Sequence, residues 1–341
     1  MPFSSFELFD HSESIVVFGR DGQVGKALQV CLKGLKIPAV FLGHADCDLG
    51  DESSILQVLN RYQPQVIINA AAYTAVDEAE SVPELAFAIN AKAPELMARY
   101  IANVVHGVLV HYSTDYVFAD TKTVAYLESD VTGPASQLSV YGQSKLAGEQ
   151  AIEEAFNSGK DSRYFILRTS WVYGDGGNFI RTILHLASER DSLKVVDDQI
   201  GAPCSAQWLA EVGIQMAASK VKSGIYHAVP NGETSWHGLA VFAIKIASSV
   251  GDSIKVKLKS IIPLHSADYP LLVKRPYNSR MNNQKLKQAL SNMGFTGQYP
   301  NWQDQVESYV RDYVGGRIQE LSMRNKVIFN KKIMSTKKKI S

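Results

Sequence analysis

Tyr141 and Lys145 stand four residues apart in VYGQSK, a spacing that puts both side chains on one face of a helix,. A phenol at its ordinary pKa of ~10 exchanges protons poorly near neutrality. Bringing it into that range takes about 4 kcal/mol of preferential phenolate stabilisation, which a neighbouring ammonium helps to supply. With 15 Tyr and 23 Lys, chance alone yields about one such pair, so the pair gains its meaning from its surroundings,. Upstream, HYSTDYVF (His111–Phe118) closes an apolar run with Ser113 and Thr114. A hydroxyl at the C-terminal edge of a parallel strand points into the ligand crevice, and Thr114 is placed to hydrogen-bond both Tyr141 and a substrate carbonyl. The same Ser-Thr-Asp triplet also suits the capping of a turn.

A third signal is GRDGQVG, Gly19 to Gly25, between the first apolar run and the first helical stretch. Gly19, Gly22 and Gly25 let backbone approach a pyrophosphate, and the helix start behind them offers unpaired N–H groups. The spacing G-x-x-G-x-x-G is one residue off the common dinucleotide fingerprint. The second strand ends in Leu42-Gly43-His44, without the carboxylate that an NAD-preferring site places on the ribose 2′-hydroxyl,. Arg20, inside the glycine loop, attracts a 2′-phosphate instead. NADPH is therefore the expected reductant, with NADH second. Asp48 faces the adenine, or else caps the next helix together with Asp51 and Ser53.

The elements that must hold these residues alternate. Ile15–Phe18, Ala39–Leu42, Gln65–Asn69, Gly107–His111 and Tyr164–Leu167 read as buried strands, with helices predicted near Gln23–Lys33 and Glu52–Tyr62 between them,. Continuous apolar strands separated by helices predict an α/β fold: a doubly wound, Rossmann-type parallel sheet with a smaller α/β substrate-binding lobe. The expected division is an N-terminal extension over 1–14, a dinucleotide-binding domain mainly within 15–172, a substrate lobe mainly within 173–314 with some chain returning, and a tail over 315–341. In the lobe, helices are predicted near Phe179–Ser188, Ser205–Ala218 and Trp236–Ser249, and an extended stretch over Lys255–Ile262.

Composition narrows the partners. The net charge of +1 conceals a tail over 315–341 carrying +7 and a body carrying −6,. An acidic body argues against nucleic acid as the main partner, and the tail reads as an appendage outside the chemistry. No apolar run is long enough to span a bilayer, and the first residues show no secretory signal,. Cys31, Cys47 and Cys204 are scattered, which predicts free thiols in a reducing, cytoplasmic compartment, with a nucleophilic Cys204 the minor alternative,.

Glycine loop, Ser/Thr and Tyr-x-x-x-Lys in this order resemble the short-chain dehydrogenase/reductase superfamily, in its extended, sugar-nucleotide branch. Within that branch the chain is similar to the dTDP-4-dehydrorhamnose reductases from about Ile15 to about Tyr313. The likeness rests on VIINAAAYTAVDEAE (Val66–Glu80), STDYVF, VYGQSKLAGE (Val140–Glu149), LRTSWVYG (Leu167–Gly174), VVDDQIGAP (Val195–Pro203) and RPYNSRM (Arg275–Met281). The resemblance implies NAD(P)H-dependent reduction at C4 of dTDP-4-dehydro-L-rhamnose to dTDP-L-rhamnose. Tyr141 would donate the proton, Lys145 would hold the nicotinamide ribose and depress the Tyr141 pKa, and Thr114 would tune and position. Gly22, Gln23, Val24, Asp48, Leu49, Ala71, Ala72, Tyr73 and Tyr112 would contact cofactor, and Asp115 and Trp171 the sugar. Dehydratase relatives need Asp-Glu after the Thr, whereas here Asp115 precedes Tyr116. The missing ribose-binding carboxylate counts mildly against a 4-epimerase. Some relatives carry a Glu in the first helix that helps bind Mg2+ between subunits; Lys26-Ala27 stands there, so no metal is expected, and the protein is a monomer or homodimer. Tyr277 replaces a Gly common in relatives, near the substrate's nucleotide. The competing readings are a non-catalytic NADP-binding subunit, like the regulatory subunit of methionine adenosyltransferase, and a reductase of another 4-keto sugar nucleotide.

Overall fold

Successive residues of each strand feed two cores, one on either face of a parallel sheet. The computed structural model describes residues 14–158, 161–251, 253–269, 271–292 and 299–316. The N-terminal extension before residue 14 and the basic tail beyond residue 316 lie outside the described residues. β1 (Ile15–Phe18) sends Ile15 and Val17 to one core and Val16 and Phe18 to the other, and all four are buried. There follow α1 (Gln23–Gly34), β2 (Val40–Leu42), α2 (Glu52–Tyr62) and β3 (Val66–Asn69). Two short helices and a π turn over Ala88–Lys92 lead into α3 (Ala93–Ile101), β4 (Val108–Thr114), α4 (Val140–Ala155) and β5 (Arg163–Thr169). β4 continues past the predicted His111 to Thr114, so the hydroxyl stands at the strand's own C-terminal edge.

Beyond β5 come α5 (Phe179–Glu189), β6 (Leu193–Val196), α6 (Ala206–Ala218), β7 (Gly224–His227), α7 (Trp236–Ser249) and β8 (Ile261–Leu264). β7 returns to the sheet, whose order is β7-β5-β4-β3-β1-β2 with every pairing parallel. Helices α1 and α6 cover one face, and α2, α3 and α4 the other, which is the doubly wound arrangement predicted,. A separate core joins α5, α7, β6 and β8 to a helix over residues 302–316, through Ile183, Leu184, Leu239, Ile244, Ile261 and Val310. The predicted extended stretch over Lys255–Ile262 instead forms a tight turn at Leu258–Ser260, and the strand begins only at Ile261. Pro263 sits in that strand because a two-stranded ladder has free edges where no N–H is required,. Among the described residues no helix is long and apolar enough to cross a membrane.

Candidate active site

The glycine loop is pressed between two neighbouring segments. Gly19 adopts φ +88°, and a Cβ there would lie 2.6 Å from the Ala71 nitrogen,. A Cβ on Gly25 would lie 1.9 Å from the Gly19 oxygen, so Gly25 serves close packing. Helices α2 and α4 start under side-chain caps from Asp51 and Ser139, whereas α1 starts at Gly22 with none. Its first N–H groups are left for a ligand. A cavity of about 710 Å3 opens here, walled by Gly19, Gly22, Gln23 and Val24 on one side and by Leu49, Ala71 and Ala72 on another. Small residues, an uncapped helix start and room on this scale fit the diphosphate of a dinucleotide. Arg20, Gly25, Asp48 and Tyr73 lie outside the cavity wall. Asp48 accepts a hydrogen bond from the Gly50 N–H at 2.9 Å, and Asn90 of the π turn clasps the Tyr73 N–H and carbonyl.

The end of β2 is not free of carboxylate. Asp46 folds back across the turn, accepting from the Gly43 N–H at 2.9 Å and pairing with Arg20 at 2.7 Å. Asp21 takes a second edge of the same guanidinium at 3.2 Å. Counting positions from the strand end misses Asp46, because a turn brings a residue four positions beyond Leu42 back to it. Arg20 is thus a cation already flanked by two anions.

Ser139 caps α4 and sets the helical phase, so Tyr141 and Lys145 both face the cavity. Burial pushes the Tyr141 phenol up to about 12, and a hydrogen bond with Thr114 holds back part of the rise. Thr114 also donates to Asp115 Oδ1 at 3.1 Å and caps the following turn by accepting from the Tyr116 N–H at 3.2 Å. The turn-capping reading of the Ser-Thr-Asp triplet therefore holds, and Thr114 also stands within hydrogen-bond reach of Tyr141. Asp115 is buried on the cavity wall beside Ser279, and burial pushes its carboxyl up to about 6. Lys145 donates to the Tyr112 carbonyl at 2.7 Å and lies 3.1 Å from His111 Nε2. Burial lowers its ammonium to about 8. Thr114 thus eases the Tyr141 ionisation, and Lys145 lines the same cavity as the phenol.

Trp171 adopts φ +47°, a left-handed conformation costly for a bulky residue, and its indole stacks on Trp236 at 3.8 Å,. Trp171, Trp236 and Tyr116 also border a second cavity of about 720 Å3 that reaches Lys194, Lys274 and Arg275. Tyr277 lines this second cavity, with Lys274 over its ring at 4.7 Å. Sequence patterning singles out none of Trp236, Asn69 and His111, and it gives Asp46, close behind the second strand, no role. A signal existed only for Trp236, one of four tryptophans and the first residue of its helix. Cys204 is fully buried with its thiol pushed up to about 11, which removes it as a nucleophile,. Lys26 pairs with Asp175 at 3.5 Å, and no metal-holding cluster of His, Cys, Asp or Glu occurs among the described residues.

Known proteins place this geometry. A dTDP-4-dehydrorhamnose reductase of Shigella flexneri is 39% identical over 307 residues, covering 88% of this chain and 97% of that protein. The crystal structure of a dTDP-4-dehydrorhamnose reductase ortholog from Clostridium acetobutylicum superposes with a TM-score of 0.75 at 32% identity, covering 87% of this chain and 98% of that one. The dTDP-4-dehydrorhamnose reductase of Bacillus anthracis, solved in complex with NADP, gives the same score, identity and coverage. The family profile described as the RmlD substrate binding domain matches residues 13–314, and the chain belongs to that family, the dTDP-4-dehydrorhamnose reductases among the short-chain dehydrogenase/reductase oxidoreductases.

Proposed function

We propose that the protein reduces the C4 keto group of dTDP-4-dehydro-L-rhamnose to dTDP-L-rhamnose, using NADPH and accepting NADH. The observation that carries this reading is the wall shared by the two cavities. The glycine loop stands at one end, Tyr141 and Thr114 lie on the way, and the Trp171–Trp236 stack borders both spaces. Lys194, Lys274 and Arg275 in the second cavity suit a sugar-nucleotide diphosphate,. Gly19, Gly22, Gln23 and Val24 would hold the cofactor diphosphate, Ala71 and Ala72 its flank, and Tyr112 and Lys145 the nicotinamide end. When bound, the reduced nicotinamide supplies the hydride that turns the C4 carbonyl into an alkoxide. Tyr141, held as the neutral phenol by its burial, gives its proton to that oxygen and is left as phenolate,. Thr114 aims the phenol, while Asp115 and Trp171 meet the sugar. Three buried, free thiols suit the reducing cytoplasm,.

The test supplies the purified full-length chain with NADPH and freshly prepared dTDP-4-dehydro-L-rhamnose, and follows loss of reduced-nicotinamide absorbance. Turnover is expected. Bound cofactor without consumption would favour the non-catalytic binding subunit. Faster turnover of a different 4-keto sugar nucleotide would reassign the substrate.

The Arg20–Asp46 pair bears on the choice of reductant. Asp46 offers an acceptor to a ribose hydroxyl and Arg20 a donor to a 2′-phosphate, so both cofactors are accommodated,. Arg20→Ala is expected to weaken NADPH by on the order of tenfold, one charge-assisted hydrogen bond, and NADH by less. Fluorescence titration of both cofactors checks this, and equal losses would remove Arg20 from 2′-phosphate recognition.

A further inference from the structure

The parallel register of β3 and β4 sets Asn69 beside His111, and Lys145 lies on the far side of the imidazole. The donor and acceptor roles along this line follow from one fixed group. The Ala71 backbone N–H can only donate, and it points at Asn69 Oδ1 at 3.1 Å,. The amide nitrogen of Asn69 must then face His111 Nδ1, 3.1 Å away, and donate to it. His111 is fully buried, and burial together with Lys145 keeps its pKa well below the ordinary value, so the ring is neutral. With Nδ1 accepting, the single ring proton sits on Nε2. That N–H points at Lys145 Nζ, 3.1 Å away, while Nζ donates to the Tyr112 carbonyl. An ammonium has three donors and no acceptor, so a bond from His111 requires the amine lone pair of neutral Lys145.

We propose that Asn69 and His111 form a polarised relay that sets the protonation of Lys145, which makes His111 a positioning residue for the reduction. Its bearing on the reaction rests on the reading above, in which Lys145 and Tyr141 work together. The phenolate left when Tyr141 gives up its proton is stabilised by an ammonium at Lys145 and not by a neutral amine. The relay thereby fixes the pH above which that help is lost. The other groups around Lys145 are few. Tyr141 lies one turn back on α4, and Glu149, one turn on, favours the ammonium. Arg168 of β5 is engaged with that same Glu149. Burial opposes the ammonium, and the Nε2 edge of His111 on β4 faces it at 3.1 Å.

Asn69→Asp exchanges one NH2 for an oxygen and inverts the line. One carboxylate oxygen still accepts from Ala71, the other accepts from His111 Nδ1–H, and Nε2 is bared to accept from the Lys145 ammonium. In the full-length protein without substrate, nitrogen-15 NMR should find the His111 proton on Nε2 in the parent and on Nδ1 in the variant. The Lys145 titration, read from carbon-13-labelled lysine and assigned with Lys145→Met, should move up by about one pH unit or more. The alkaline limb of kcat should move with it. A parent His111 protonated on Nδ1, which needs no variant to observe, or an unmoved Lys145 titration, overturns the relay. A Lys145 titration that moves while the kcat profile stays still supports the relay and overturns the paired Tyr141–Lys145 reading.

Discussion

Tyr141→Phe is expected to lower kcat by about 10²–10⁴-fold, the usual worth of a positioned general acid, while NADPH affinity stays nearly unchanged. The hydroxyl is hydrogen-bonded with Thr114, and the ring packs edge-on against Tyr116 at 5.3 Å beside Ala79 and Ala86. Phenylalanine keeps all of that packing, so the stability cost is about 1 kcal/mol for one lost hydrogen bond. A loss of rate on the expected scale cannot therefore come from unfolding, which a thermal melt of the variant checks. The pH profile separates Tyr141 from its neighbours. A phenol pushed up to about 12 stays protonated throughout the working range. An alkaline fall in kcat near pH 8 belongs to Lys145, whose ammonium burial lowers to about that value, and it precedes any loss of the Tyr141 proton. An unchanged kcat in Tyr141→Phe would sink the assignment of the proton donor, and a variant that no longer binds NADPH would assign Tyr141 to binding.

What the sequence disclosed depended on how local each feature is. Glycine spacing, the i, i+4 pair on α4 and the hydroxyl at the end of β4 are set within a few residues, so each was readable alone. The sheet was legible because strands buried on both faces leave continuous apolar runs such as IVVF and VIIN,. Asn69 and His111 are polar residues inside those same runs. Their partnership arises only from the parallel register of β3 and β4, which no spacing encodes. Position along the strand places no carboxylate at the β2 end, because a turn and not the strand carries Asp46 back there. The stack of Trp236 on Trp171 joins α7 to the end of β5 across more than sixty positions of chain, and the strained backbone of Trp171 has no sequence signature. The late strand β8 was misplaced for a similar reason: its partner β6 supplies the order that its own pattern lacks.

Arg168→Met is expected to destabilise the protein by about 3–5 kcal/mol, far more than loss of an exposed pair such as Arg311–Glu307, which is worth about 0–1 kcal/mol,. Ser113 and Arg168 are register partners on β4 and β5, and Glu149 of α4 lies over both. Glu149 receives Arg168 Nε at 3.0 Å, Arg168 Nη2 at 2.6 Å and the Ser113 hydroxyl at 2.5 Å, with Arg168 and Glu149 almost wholly buried. Arg168 also lies over the Phe118 ring at 5.0 Å, and its Nη1 has no hydrogen-bond partner among the described residues. Methionine fills most of the volume, so the cost comes mainly from a carboxylate stranded without its cation and less from a cavity. The double variant Arg168→Met, Glu149→Leu removes both charges and should recover much of the loss. At about 2–4 °C per kcal/mol for a large chain, the single variant should melt roughly 6–20 °C lower. Glu149 also favours the Lys145 ammonium, so its removal should shift the alkaline limb of kcat to lower pH in the double variant even as stability returns. Recovery of the melt with a displaced pH limb would show one buried carboxylate serving both the scaffold and the site. A single variant that melts with the parent, or a double variant no better than the single, would show that the pair contributes little to holding α4 on the sheet.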